Sequence, residues 1–282
     1  MNISNQTYKE LAIPYFKEVF DCIDEVMIKL NVPYYLIGAS AVALELLKDG
    51  IKPSRGTKDI DFAIMISSIQ EFETIVDELV NHGFNKVEAP WTMYNDKFNI
   101  VIDLLPFGEI EEKFTVNFNE RYIDLHVLGF SEVLQEPETV QIEEKSIQIP
   151  SLPGMVILKL IAWSDRPEDR DSDLYDILKI IEHYFNFNFD EIVEHHYDTF
   201  PEEGNLDQFK IAARVLGRKA SKFLNVSEAI NERILKTIND NVANVENSAI
   251  AKQWVRGKDW DLEYAVEILE ELKLGLIENS KI

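Results

Sequence analysis

Residues 34–64 read YYLIGASAVALELLKDGIKPSRGTKDIDFAI. A short apolar run, 34–37, stops at Gly38-Ala39-Ser40. AVALELL, rich in helix formers, follows and ends at Lys48-Asp49-Gly50, where a glycine suits a helix C-terminus. After a polar turn, Thr57 leads into Asp59-Ile60-Asp61-Phe62-Ala63-Ile64. Successive side chains of a strand alternate faces, so Asp59 and Asp61 point one way while Ile60 and Phe62 point into a core. Two carboxylates on one face repel unless a cation lies between them. A hard divalent ion such as Mg²⁺ takes oxygen ligands and neutralises such a pair, so the segment reads as a metal platform.

The preceding turn has two readings. A strand that enters a helix through small residues gathers free backbone N–H groups beside Ser40, a cradle for phosphate. The same small residues are also what a tight strand–helix junction needs for packing alone.

Upstream, Leu11, Tyr15, Val19, Ile23, Val26 and Leu30 recur at three- and four-residue steps, predicting an amphipathic helix over 7–30 that Pro33 terminates. Downstream, SSIQEFETIVDELVNHGF predicts a helix with Ser67 or Ser68 as N-cap, Glu71 completing a capping box, and Gly83 at its end. Residues 91–105 then predict two strands, in WTMYN and FNIVIDLLPF, joined by a turn at Asn95-Asp96-Lys97. Asp103 interrupts the second. A carboxylate within a buried run needs a partner, whereas one at a strand's wet end does not; the local sequence leaves both open. Residues 113–149 are β-like but less regular, with FTVNF, YIDLHVLGF, a short helix in FSEVLQE, then TVQIEE and SIQIP.

The pattern changes near 150, which divides a mixed α/β part (1–150) from a helical part (151–282). SLPGMVILKLIAW predicts a helix with Pro153 in its first turn. Lys159 is the only charge in that stretch, either snorkelling from a buried helix or placed for chemistry. Leu174, Ile177, Leu178 and Ile181 mark the next helix, whose start carries Asp169, Asp171 and Asp173, acids that the helix dipole favours there. Beyond 185 the chain reads as helical, with FNFNFDEIVEHHYDTFPEEG as a looser joint. The histidines show no metal-ligand spacing.

Composition narrows the classes. The 282 residues hold 28 basic and 51 acidic side chains, a formal net charge of -23. That argues against a broad surface for nucleic acid or anionic membrane, although Lys52, Arg55 and Lys58 form a local basic group. A single cysteine, Cys22, cannot form an internal disulfide, which fits a reducing cytoplasm. The start MNISNQTYKELAIPYF has no secretory pattern, and no apolar run approaches the ~20 residues of a membrane span. A cytoplasmic protein without membrane association is expected.

Taken in order, LIGASAVAL, RGTKDIDFAI, IDLLPFGEIE and SLPGMVILKLIAWSDRPEDRDSDLYDI resemble the nucleotidyltransferase superfamily of DNA polymerase β. Within it they resemble the predicted nucleotidyltransferases of the AbiEii type, which include type IV toxins. The resemblance covers roughly residues 30–182. It departs from the superfamily where Ala39 separates Gly38 from Ser40, and where the interval between Ser40 and Asp59 is longer than usual.

The resemblance implies an α+β fold: a mixed, twisted sheet with flanking helices forming a catalytic domain, followed by a helical C-terminal part. It implies transfer of an NMP from an NTP to an acceptor hydroxyl, with pyrophosphate released. Asp59, Asp61 and Asp103 would hold Mg²⁺ (or Mn²⁺), two ions in all. Gly38, Ala39 and Ser40 would hold the β- and γ-phosphates, with Arg55 and Thr57 beside them. Lys159 would neutralise triphosphate or leaving pyrophosphate, and Asp176 would organise Lys159 or Arg166. Toxin relatives imply a tRNA end or a protein as acceptor and a cognate antitoxin as partner. Antibiotic-modifying relatives imply a small-molecule acceptor. A nucleotide- or partner-binding module without catalysis is the remaining alternative, and clustered, mutually repelling carboxylates argue against it.

Overall fold

The computed structural model describes residues 8–53, 57, 59–118, 124–202 and 204–278. The chain divides into two compact units, Met1–Ser151 and Leu152–Ile282.

The first unit opens on a single 3-10 turn, Tyr8–Leu11, followed by α1, Phe16–Leu30. The periodicity predicts one helix over 7–30; the structure breaks it. Pro14 cannot donate a backbone hydrogen bond and disfavours helical geometry at the residue before it. Ala12 and Tyr15 take left-handed φ of 55° and 57° around it, and α1 starts only after this corner.

Next come β1 (Tyr34–Ile37), α2 (Gly38–Leu47), β2 (Asp59–Met65), α3 (Ile69–Asn81), β3 (Asn85–Lys86), β4 (Thr92–Asn95) and β5 (Ile100–Phe107). The five strands form one sheet in the order β1-β2-β5-β4-β3. Strand β2 runs antiparallel to β1 and parallel to β5, while β4 runs antiparallel to both β5 and β3, so the sheet is mixed. Strand β3 was not foreseen: its two residues are both exposed and too few to show alternation.

One face of this sheet is the core. Leu36, Ile60, Phe62, Ile64, Met93, Ile102 and Leu104 are fully buried there, and Phe20 of α1 lays its ring against Phe62 and Tyr34. The helix α3 is capped by Ser68, whose Oγ accepts the Glu71 N–H, while the Glu71 carboxylate accepts the N–H of Ser67 at 2.6 Å. The return bond of the capping box thus lands one residue early.

Two ribbons complete the unit: β6 (Thr115–Asn117) with β7 (Asp124–His126), and, after the one-turn helix α4 (Phe130–Val133), β8 (Glu138–Ile142) with β9 (Lys145–Ile149). Val140, Ile142, Ile147 and Ile149 face inward from the last hairpin. Lys145 ties its turn to α1 by donating to Asp24 at 2.5 Å.

The second unit is helical: α5 (Leu152–Asp165), α6 (Asp171–Phe187), α7 (Phe189–His195), α8 (Gln208–Val226), α9 (Glu228–Val242), α10 (Ala249–Trp254) and α11 (Leu262–Glu278). Helices α8 and α11 touch backbone to backbone. A Cβ on Gly217 would stand 2.3 Å from the Leu272 carbonyl oxygen, and one on Gly275 2.0 Å from that of Arg214. Arg214 seals the crossing with ion pairs to Glu271 at 3.0 Å and Glu278 at 2.7 Å. Among the described residues no helix is long and apolar enough to cross a membrane.

Candidate active site

Strand register assembles the site. Ile37 of β1, Asp61 of β2, Asp103 of β5 and Thr92 of β4 lie in one row across the sheet. Directly opposed residues present side chains on the same face, so Asp61 and Asp103 share the face opposite the core. Asp59, two residues earlier in β2, shares it too. Burial grades along this face: Asp59 is exposed, Asp61 and Asp103 are half-buried, and Ala63 and Phe107 are buried, with Phe130 of α4 edge-on to Phe107. Asp103 sits mid-strand rather than at a wet end, and Thr92 supplies one hydrogen bond to it, Oγ1 donating to Oδ1 at 2.5 Å.

The Gly38 turn closes against this row. Gly38 has φ of +66°, and a Cβ there would fall 2.0 Å from Asp61 Oδ2. Only glycine satisfies both the backbone conformation and this approach. The first turn of α2 therefore lies directly beside the Asp61 carboxylate. No side chain caps that helix end, since its N-cap is Ile37. Unpaired N–H groups at a helix N-terminus carry partial positive charge and favour an anion beside them.

Ser40 is turned inward. It is 1% exposed, and its Oγ has no hydrogen-bond partner among the described residues. Thr57 is engaged with backbone: its Oγ1 accepts the Asp59 N–H at 3.2 Å and donates to the Asp59 carbonyl at 3.1 Å, fixing the start of β2. Arg55 and Lys58 lie outside the described residues.

Lys159 belongs to the second unit, on α5, and does not snorkel. It is 5% exposed, and its Nζ donates to Asp173 Oδ1 at 2.9 Å and Asp176 Oδ2 at 2.8 Å, both on α6. Arg170 adds a contact to Asp173 Oδ2 at 3.3 Å. Lys159 is thus buried between two buried carboxylates, with the partly exposed Arg170 on the outer side of Asp173. Burial by itself would push the Lys159 ammonium down, but the two carboxylates outweigh it and hold it above its ordinary value.

The donor chemistry can be set against a divalent cation. Asp61 and Asp103 offer hard oxygens in adjacent register, yet among the described residues no three Asp, Glu, His or Cys groups form a ready metal cage. Mg²⁺ is ordinarily held by one or two carboxylates, with water and substrate phosphate completing the shell, so an in-register pair fits that mode.

Two participants escape a linear reading. Thr92 meets Asp103 only through strand pairing. Asp173 looks like one more dipole-favoured acid, although its three-residue spacing from Asp176 puts both on one helical face.

No curated protein matches the chain. Among solved structures it is similar to an antigenic nucleotidyltransferase-like protein from Paracoccidioides brasiliensis, at 16% identity and a TM-score of 0.41 over 80% of this chain and 94% of that one. It is also similar to the antibiotic-resistance factor ANT(2'')-Ia, at 13% identity and a TM-score of 0.40 over 80% of this chain and 97% of that one. The family described as nucleotidyl transferase AbiEii toxin, type IV TA system, matches residues 34–265, and the chain belongs to that family of nucleotidyltransferases.

Proposed function

We propose that the protein transfers an NMP from an NTP to a hydroxyl of a macromolecule, a tRNA end or a protein, in a metal-dependent reaction and as a cytoplasmic toxin answered by a cognate antitoxin. The observation that supports this best is the in-register Asp61–Asp103 pair with the Gly38 turn packed on Asp61. It sets a pair of acceptor-only carboxylates beside an uncapped helix N-terminus, and triphosphate transfer needs both kinds of group.

In the proposed reaction the acceptor hydroxyl gives up its proton to solvent and its oxygen bonds to the α-phosphorus. The bond from that phosphorus to the bridging oxygen breaks, and pyrophosphate leaves with the electron pair. Asp59, Asp61 and Asp103 would hold Mg²⁺ or Mn²⁺, two ions in all, which when bound supply charge neutralisation at the attacking and leaving oxygens. The N–H groups of Gly38, Ala39 and Ser40 orient the β- and γ-phosphates; the enclosed Ser40 hydroxyl leaves that task to the backbone. Arg55 and Thr57 flank the same phosphates in this reading. Catalysis is assigned to the first unit. Lys159, held by Asp173 and Asp176, carries the proposed role of offsetting triphosphate charge.

The net charge of -23 disfavours a long polyanionic docking surface and supports an acceptor engaged at a small site, such as an RNA end or a protein side chain. The test is incubation with each labelled NTP and Mg²⁺ or Mn²⁺, together with total RNA, cell lysate or small amino- and hydroxyl-bearing acceptors. Label should enter the RNA or protein fraction. Label only in small molecules would move the function to the antibiotic-modifying type, and no transfer with any NTP would refute the reading.

A further inference from the structure

We infer that Thr92 is a positioning residue for Asp103, orienting its carboxylate for the divalent cation; this rests on the metal-dependent reading proposed above. The Thr92 hydroxyl donates to Asp103 Oδ1 at 2.5 Å, within the range of a charge-assisted O–H···O⁻ bond. The two residues are register partners on neighbouring antiparallel strands. A carboxylate set beside Asp61 in the same row is repelled by it, and a bond to one oxygen helps to fix the orientation it takes.

The donor itself is rigid. Threonine is β-branched and stiff at χ1. Its backbone is fixed on both sides: the Thr92 N–H donates to the Ala89 carbonyl at 3.1 Å, and the Leu104 N–H donates to the Trp91 carbonyl at 2.8 Å. Trp91 in turn packs its ring on Phe118. Strand β4 thus delivers one hydroxyl to one oxygen of the acidic pair, the arrangement by which groups behind metal ligands commonly tune affinity.

The experiment titrates Mn²⁺ into the full chain with a non-hydrolysable NTP and reads affinity by Mn²⁺ paramagnetic resonance, alongside the melting temperature of the metal-free protein. Thr92→Val keeps the shape and branching and removes the donor; Thr92→Ser restores it; Asp103→Asn removes the proposed ligand. The expected result is a loss of roughly tenfold or more in Mn²⁺ affinity for Thr92→Val, near-native affinity for Thr92→Ser, and no binding for Asp103→Asn. A purely structural hydroxyl would move the metal-free melting temperature and leave affinity alone. Native affinity in Thr92→Val, with Asp103→Asn defective, overturns the Thr92 inference while leaving the metal reading intact. Absence of Mn²⁺ binding in the wild type overturns both. Should the valine variant not fold, Thr92→Ala is read against the same outcomes.

Discussion

Asp61 on β2 and Asp103 on β5 are paired directly across parallel strands, with the Thr92 hydroxyl donating to Asp103 from the next strand. Like charges opposed in a sheet destabilise it, so the fold carries a cost at this point.

Relieving that repulsion gives the first prediction. Asp61→Asn should raise the melting temperature of the metal-free protein by an amount corresponding to about 0.5–1 kcal/mol, and abolish the further rise that Mg²⁺ or Mn²⁺ with NTP gives the wild type. Thermal unfolding with and without metal measures both. A variant still stabilised by metal would remove Asp61 from the ligand set.

Lys159→Met keeps the stem and deletes the ammonium, leaving Asp173 and Asp176 facing each other in a buried site. Breaking a buried pair by removing one partner costs about 3–5 kcal/mol, and denaturant unfolding should show a loss of that order. A snorkelling lysine would lose little. NTP affinity of the folded variant, measured separately, tests the phosphate role: native affinity would leave Lys159 a purely structural ion.

Glu45 of α2 titrates in an unusual range. Burial pushes its carboxyl up to about 7 despite the ion pair with Lys48, from an ordinary value of 4.5. It is 8% exposed, and its Oε2 has no hydrogen-bond partner among the described residues. The folded state therefore binds a proton more tightly than the unfolded chain does. This group's contribution is greatest below pH 4.5 and is lost as pH rises to about 7, by up to roughly 3 kcal/mol. Glu45→Gln should flatten the stability–pH profile between those limits and leave the variant more stable than wild type at pH 8. A profile unchanged by the substitution would show that Glu45 ionises normally.

At the α8–α11 crossing the backbones leave no room for a methyl group. Gly217→Ala or Gly275→Ala must push the helices apart against carbonyl oxygens that would stand 2.3 and 2.0 Å from the new carbon. The gain in helix propensity of about 1 kcal/mol is outweighed, and each variant should lose about 1–3 kcal/mol or more. Alanine tolerated at both positions, as judged by denaturant unfolding, would contradict this packing.

Local sequence determined much of this protein. Alternation alone places Asp59 and Asp61 opposite Ile60 and Phe62, because a strand's side-chain period is two, and the burial of β2 follows it. Helices α5, α6, α8, α9 and α11 follow from their apolar spacing, a short-range property, whereas α7 forms within the stretch read as a looser joint. The corner at Pro14 was equally local, and only the strength of the surrounding periodicity concealed it. Tertiary structure decided the rest. Whether Asp103 faces solvent, a partner or Asp61 depends on strand register, and a slip of one residue would turn it to the other face. Register likewise brings Thr92 to Asp103, and the 66° φ of Gly38 brings the helix end onto Asp61. Lys159 found two carboxylates because α5 packs on α6, a relationship between residues 14 and 17 positions apart in the chain. Spacing shows which face a residue occupies; only packing shows what stands opposite it.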